Sequence, residues 1–149
     1  MESKEEKARR LFLSGANCAQ AVFGAFHAEC GLDPETAFRI ASGFGGGMAR
    51  MREVCGAVSG MILAANYLSG YSELKDKAAK DAHYALIQKL AEEFRKENGS
   101  IVCRDLLGLP SGRRDIPVSE ARTAEYYRKR PCADLVAAAA GIAERMLLK

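Results

Sequence analysis

Five cysteines, Cys18, Cys30, Cys55, Cys103 and Cys132, give this 149-residue chain its widest chemical repertoire. A thiolate can attack a disulfide, cycle between dithiol and disulfide, or ligate zinc and iron. The count is odd, which suits full disulfide pairing badly. No two cysteines form a CxxC pair, which argues against a zinc ribbon, a thioredoxin motif and a ferredoxin run. A free cysteine is ordinarily a small buried hydrophobe, so its place in the local structure decides whether it carries chemistry.

Helical spacing dominates the chain, and no strand-like alternation of any length interrupts it. Ala8, Leu11 and Phe12 share one side of a helix over 3–13. Asn17 is a natural N-cap for a second helix, expected to run to about Glu29 and to close at Cys30-Gly31. Asp33-Pro34-Glu35 opens a third, to about Ser42. Cys55-Gly56-Ala57-Val58-Ser59-Gly60 leads into an apolar helix ending near Gly70, with small residues on one side for close packing. The longest helix is expected over 73–97, stopped by Asn98-Gly99. Ser100 then caps a short helix through Cys103, a loop spans 108–117, a polar helix covers about 119–129, and Pro131 opens a last helix over 135–148. The expected fold is all-α, a single-domain bundle of six to seven helices over 1–149.

Four of the cysteines therefore fall at or near a helix start: Cys18 after Asn17, Cys55, Cys103 after Ser100, and Cys132 after Pro131. A helix N-terminus offers unpaired N–H donors and the positive end of the macrodipole, and both favour thiolate over thiol. Cys30 falls at a helix C-terminus and is left out of the site. Widely spaced cysteines can converge in a bundle, but spacing alone does not reveal it.

Gly43-Phe44-Gly45-Gly46-Gly47 is the most unusual stretch, and glycine there permits positive φ and close approach of backbone or ligand. It is no P-loop, since GxxxxGK[ST] and a preceding strand are both missing. Tight helix crossing and ligand contact are equally good accounts of it. Arg50 and Arg52 flank the approach to Cys55; they could steady a thiolate or an anionic substrate, although solvated surface is the ordinary reading. His83, on the apolar stripe of the long helix, reads as a core histidine, and His27 as a surface one.

Composition bounds the rest. The net charge is +3, from 22 basic and 19 acidic residues, too small an excess to argue for nucleic-acid or membrane-surface binding. Residues 113–130 hold six basic and three acidic side chains, which reads as a solvated face. No apolar run approaches the roughly 18 residues of a spanning helix. The opening MESKEEKARR has no apolar h-region, so the expected location is cytoplasmic.

NCAQAVFGAF around Cys18, ASGFGGGMARMREVCGAVSG ending in the CGAVSG motif at 55–60, IVCRDLLG around Cys103 and RPCADLV around Cys132 together resemble the C-GCAxxG-C-C family of redox-active proteins, over roughly residues 5–147. This chain reads Cys55-Gly56-Ala57 where the family name writes glycine before cysteine. Cys30 has no counterpart in the pattern. The resemblance implies redox activity resting on four cysteines and names no substrate. A related domain accompanies haem-binding segments in split-Soret cytochromes, but no CxxCH stands in this chain.

Three readings follow. In the first, Cys18, Cys55, Cys103 and Cys132 form a catalytic thiol–disulfide site, with Cys55 the attacking thiolate because its neighbours are small, and an unidentified redox partner. In the second, the same four thiolates hold a metal ion or an iron–sulfur cluster, with Gly45, Gly46, Gly47 and Gly56 contacting that cofactor, in an electron carrier or sensor. In the third, the cysteines are core residues of a helical interaction module. The small-residue and alanine-rich helices would suit a homodimer or an intrachain bundle equally.

Overall fold

The computed structural model describes residues 1–148. The described residues form eight right-handed α-helices: α1 Lys4–Leu13, α2 Cys18–Ala25, α3 Pro34–Ala41, α4 Gly56–Ser69, α5 Lys77–Asn98, α6 Cys103–Leu106, α7 Ala124–Lys129 and α8 Cys132–Leu147. The fold is all-α, and the one β interaction among these residues is an isolated antiparallel bridge between Val54 and Val102.

Side-chain caps fix most helix starts. Ser3 accepts from the Glu6 N–H, Asp33 from Thr36, Asp76 from Ala79 and Thr123 from Tyr126. At α2 the capping is reciprocal: Asn17 accepts from Gln20 N–H while the Gln20 side chain accepts from Asn17 N–H. This box holds Cys18 at the first position of α2.

α2 is the central helix. Ala19, Ala21, Val22, Phe23 and Ala25 are all fully buried, which surrounds it with protein on every side. α4 crosses it closely, because a Cβ on Gly60 would stand 2.8 Å from the Ala19 carbonyl oxygen and 2.9 Å from the Val22 Cβ. α8 packs against α1, α2, α4 and α5 through Leu135, Val136, Ala139, Ala140, Ile142 and Ala143, all buried.

Several boundaries differ from expectation for identifiable reasons. α2 ends at Ala25 rather than Glu29, because the Ala25 carbonyl accepts from Lys4 Nζ and Phe26 turns out of helical geometry with its ring beneath that ammonium. α6 starts at Cys103 without a side-chain cap; Ser100 Oγ accepts from Val102 N–H instead and donates to Asp105. The polar helix is shorter than expected, since 119–123 is not helical. α8 begins at Cys132, directly after Pro131.

The glycine-rich stretch forms a 3₁₀ turn at Ser42–Phe44 and then reverses hand. Gly46, Gly47, Met48, Ala49 and Arg50 all have positive φ, between +51° and +69°, amounting to one turn of left-handed helix. Each non-glycine residue in that conformation costs about 1–2 kcal/mol. Hydrogen bonds from Ala49 N–H to Gly45 O and from Glu53 N–H to Gly47 O hold the turn. It delivers Arg50 and Arg52 and leads straight to Cys55.

Candidate functional site

Two backbone features bring distant cysteines to one place. Around the Val54–Val102 bridge, Cys55 N–H donates to Ile101 O at 2.7 Å and Cys103 N–H to Glu53 O at 2.6 Å. Segments 52–55 and 101–104 thus lie side by side. Gly47 and Gly56 then allow near contact: a Cβ on Gly47 would stand 2.6 Å from the Cys103 Cβ, and one on Gly56 3.0 Å from the Cys18 Cβ.

Cys18, Cys55, Cys103 and Cys132 line one cavity of about 50 Å³, with Phe12 and Leu135 among its apolar walls. Cys18 is the first residue of α2, Cys103 of α6 and Cys132 of α8, and Cys55 is the residue before α4. All four are free thiols; Cys55, Cys103 and Cys132 are buried and Cys18 is half-buried. Cys30 is also free and lies outside this cavity.

The surroundings push three of the four thiols up and one, Cys132, down. The neighbouring Cys132, and then burial, raise the Cys18 thiol well above the ordinary value, while Cys18 lowers Cys132. Burial opposes the lowering at Cys132, and the guanidinium groups of Arg130, Arg52 and Arg122 reinforce it. At Cys55 burial outweighs the N–H groups of Ala57 and Val58, and the thiol is pushed up to about 12. Cys103 is raised by burial despite the Arg52 guanidinium 3.6 Å from its sulfur. Burial therefore weighs against Cys55 as the thiolate. Its small neighbours let the chain close around the sulfur, and desolvation keeps it protonated.

Arg52 is also not solvated surface: it is 3% exposed, between Cys103 and the Asp115 carboxylate at 2.8 Å. Asp115, held below the usual carboxylate range first by Arg52 and then by Arg113, also faces Arg50 at 3.5 Å. Asp115 comes from the 107–123 loop, a strap from α6 to α7 whose Leu107 and Arg122 line the cavity. Arg122 pins this strap by donating to Phe12 O at 3.0 Å and Ala16 O at 2.9 Å, with its guanidinium over the rings of Phe12 and Tyr126. Arg130 pairs with Glu120 and lies over Tyr126. Sequence reasoning treated 113–130 as a solvated face and missed Asp115, Arg122, Tyr126 and Arg130. The one available signal was position, since the segment joins Cys103 to Cys132 and must pass near both.

Gly46, Gly47 and Gly56 line the thiol cavity, whereas Gly45 lies beside it against Asn17, whose side chain a Cβ on Gly45 would meet at 2.5 Å. The close neighbours of Gly45, Gly47 and Gly56 are protein atoms, so room for chain packing accounts for these three. No group of three or more His, Cys, Asp or Glu side chains among the described residues is placed to hold a metal ion. The four-thiolate metal or iron–sulfur arrangement thus finds no support in this geometry. His83 is buried, with Nε2 2.7 Å from Asn66 Oδ1. His27 is half-buried, with Nδ1 2.9 Å from Leu32 O.

Fold and cavity together define a class first, an all-helical protein with four free thiols on one cavity. The chain belongs to the family described as putative redox-active protein (C_GCAxxG_C_C), whose model matches residues 16–146. No curated protein and no solved structure matches the chain. No helix of the described residues is long and apolar enough to cross a membrane.

Proposed function

We propose that this protein is a thiol–disulfide redox protein whose reacting pair is Cys132 and Cys18, with Cys55 and Cys103 staying reduced behind them. The observation that carries this reading is the placement of Cys18 and Cys132 at the first positions of α2 and α8 on one cavity, with Arg52, Arg122 and Arg130 on its wall. One partner of that pair holds a proton and the other is the favoured thiolate, the division that exchange requires.

In the reductive direction the Cys132 thiolate attacks a substrate disulfide RSSR. A bond forms between Cys132 Sγ and one substrate sulfur, and the other leaves as RS⁻. Cys132 is now neutral, so the charge that held the Cys18 proton is gone. Cys18 gives up its proton and attacks Cys132 Sγ, which closes a Cys18–Cys132 disulfide and releases the second RS⁻. Two protein thiols are oxidised, RSSR is reduced to two RSH, and the two thiol protons end on the products. An external dithiol reductant returns the protein to its starting state by the same exchange.

Trapping tests the reading. Reduced Cys18→Ser protein, treated with a small disulfide, should accumulate a mixed disulfide at Cys132, seen as one added thiol mass on the peptide containing that residue. Cys132→Ser should not accumulate an adduct at Cys18. Far-ultraviolet circular dichroism would establish that both variants are folded. An adduct forming first on Cys55 or Cys103 would overturn the assignment.

A further inference from the structure

Beside the thiol cavity lies a second, wider one of about 170 Å³. The two share Asn17, Gly46, Arg52, Arg122, Tyr126 and Arg130, so the outer cavity is the vestibule of the inner. Arg50 joins Arg52, Arg122 and Arg130 on its wall, and Glu120 is its one acid. Arg50 and Arg130 both reach Glu120, and Arg50 and Arg52 both reach Asp115, which Arg113 also engages. Arg122 hydrogen-bonds only to carbonyl oxygens and the Tyr127 hydroxyl, with no carboxylate on it. Arg50, Arg52 and Arg130, together with Arg113, thus share two carboxylates and Arg122 has none, which leaves an uncompensated positive field beside the cavity that holds Cys18 and Cys132. The left-handed turn of 46–50 holds Arg50 in place at a backbone cost.

We infer that the vestibule selects low-molecular-weight disulfides bearing carboxylate or phosphate groups, docking the anionic group on Arg50, Arg122 and Arg130 while the disulfide reaches Cys132. This inference rests on the thiol–disulfide reading above. Guanidinium is suited to the task because its planar fork binds carboxylate or phosphate bidentately. The apolar walls of the inner cavity, Phe12 and Leu135 among them, accommodate the sulfur end. The exchange itself is unchanged: the anionic disulfide takes two electrons from Cys132 and Cys18 and leaves as two anionic thiols.

The test uses the whole reduced protein and three matched aliphatic disulfides: dithiodipropionate (dianionic), bis(2-hydroxyethyl) disulfide (neutral) and cystamine (dicationic). Rates are divided by those of free cysteine with the same reagent, to remove intrinsic reactivity. The dianionic reagent should lead the neutral one by at least about tenfold and the cationic one by more, with the lead collapsing in 0.5 M salt. Arg130→Gln lowers the thiolate character of Cys132 towards all three reagents, so its readout is the ratio of anionic to neutral rate, which should fall several-fold. Glu120→Gln removes the competing carboxylate and should raise that ratio. Comparable normalised rates for all three reagents, or an unmoved ratio in both variants, would overturn the selection while leaving the exchange chemistry intact. Failure of all three reagents to react would instead overturn the thiol–disulfide reading.

Discussion

Cys55 and Cys132 are alike by every local criterion and opposite in chemistry. Each stands at the start of a long helix, Cys55 before α4 and Cys132 opening α8, and each is nearly enclosed, at 4% and 8% exposure. Yet Cys55 is pushed up to about 12 and Cys132 is lowered. Donors from the helix start do reach Cys55, through Ala57 and Val58, so the helix terminus is working there and is outweighed. What Cys132 has in addition is Cys18 beside it and the guanidinium groups of Arg130 after α7, Arg52 after the left-handed turn and Arg122 on the strap. A helix N-terminus tunes a sulfur only when charge or a direct donor offsets the desolvation of burial.

The sharpest way to break this contrast is to exchange the two sulfurs for oxygen separately. Cys132→Ser should cut the rate of reaction with a small disulfide at pH 7.5 by about a hundredfold or more, the order expected when the thiolate nucleophile is lost. Cys55→Ser should keep it within about threefold. Equal losses would show that the two thiols act as one unit. Next in size is the backbone that separates them. Gly47→Ala places a Cβ 2.6 Å from the Cys103 Cβ and 2.7 Å from Glu53 N at a φ of +68°, and should destabilise the fold by about 3 kcal/mol or more in denaturant melts.

A smaller effect appears with pH. The Cys55 pKa is higher folded than unfolded, so its contribution to stability is full below the ordinary thiol value near 9 and is lost as pH climbs from there towards about 12. Cys132 runs the other way, contributing stability above the ordinary value that is lost as pH falls through its lowered pKa. Between pH 8 and 10.5 the thermal midpoint of Cys55→Ala should therefore fall less steeply than that of the parent. The smallest effect is a gain: Ala49 has φ +51° and ψ +43°, and Ala49→Gly should stabilise by about 1 kcal/mol in the same melts.

The elements were legible where the signals are local. Asn17, Asp33-Pro34 and Gly99 mark their boundaries by capping chemistry alone, and the small face of Gly56, Ala57 and Gly60 anticipates the close crossing on α2. The end of α2 was not legible, because Lys4, over twenty residues upstream, takes the Ala25 carbonyl. The hand of the 46–50 turn was only half written: Gly46 and Gly47 permit positive φ, but nothing local announces it at Met48, Ala49 and Arg50. The site shows the same division. Cysteine type and helix position single out four sulfurs, whereas their ranking depends on Arg52, Arg122 and Arg130, which tertiary contacts alone bring in. Arg122 is the clearest case, since its partners Phe12 and Ala16 lie over a hundred residues away.

The most direct test of the central claim is to oxidise the fully reduced native protein with one equivalent of a small disulfide oxidant and map the product by peptide mass spectrometry. The account predicts a single intramolecular disulfide joining Cys18 to Cys132, with Cys55 and Cys103 recovered as free thiols. A disulfide that includes Cys55, or a protein that takes up oxidant without joining Cys18 to Cys132, would contradict it.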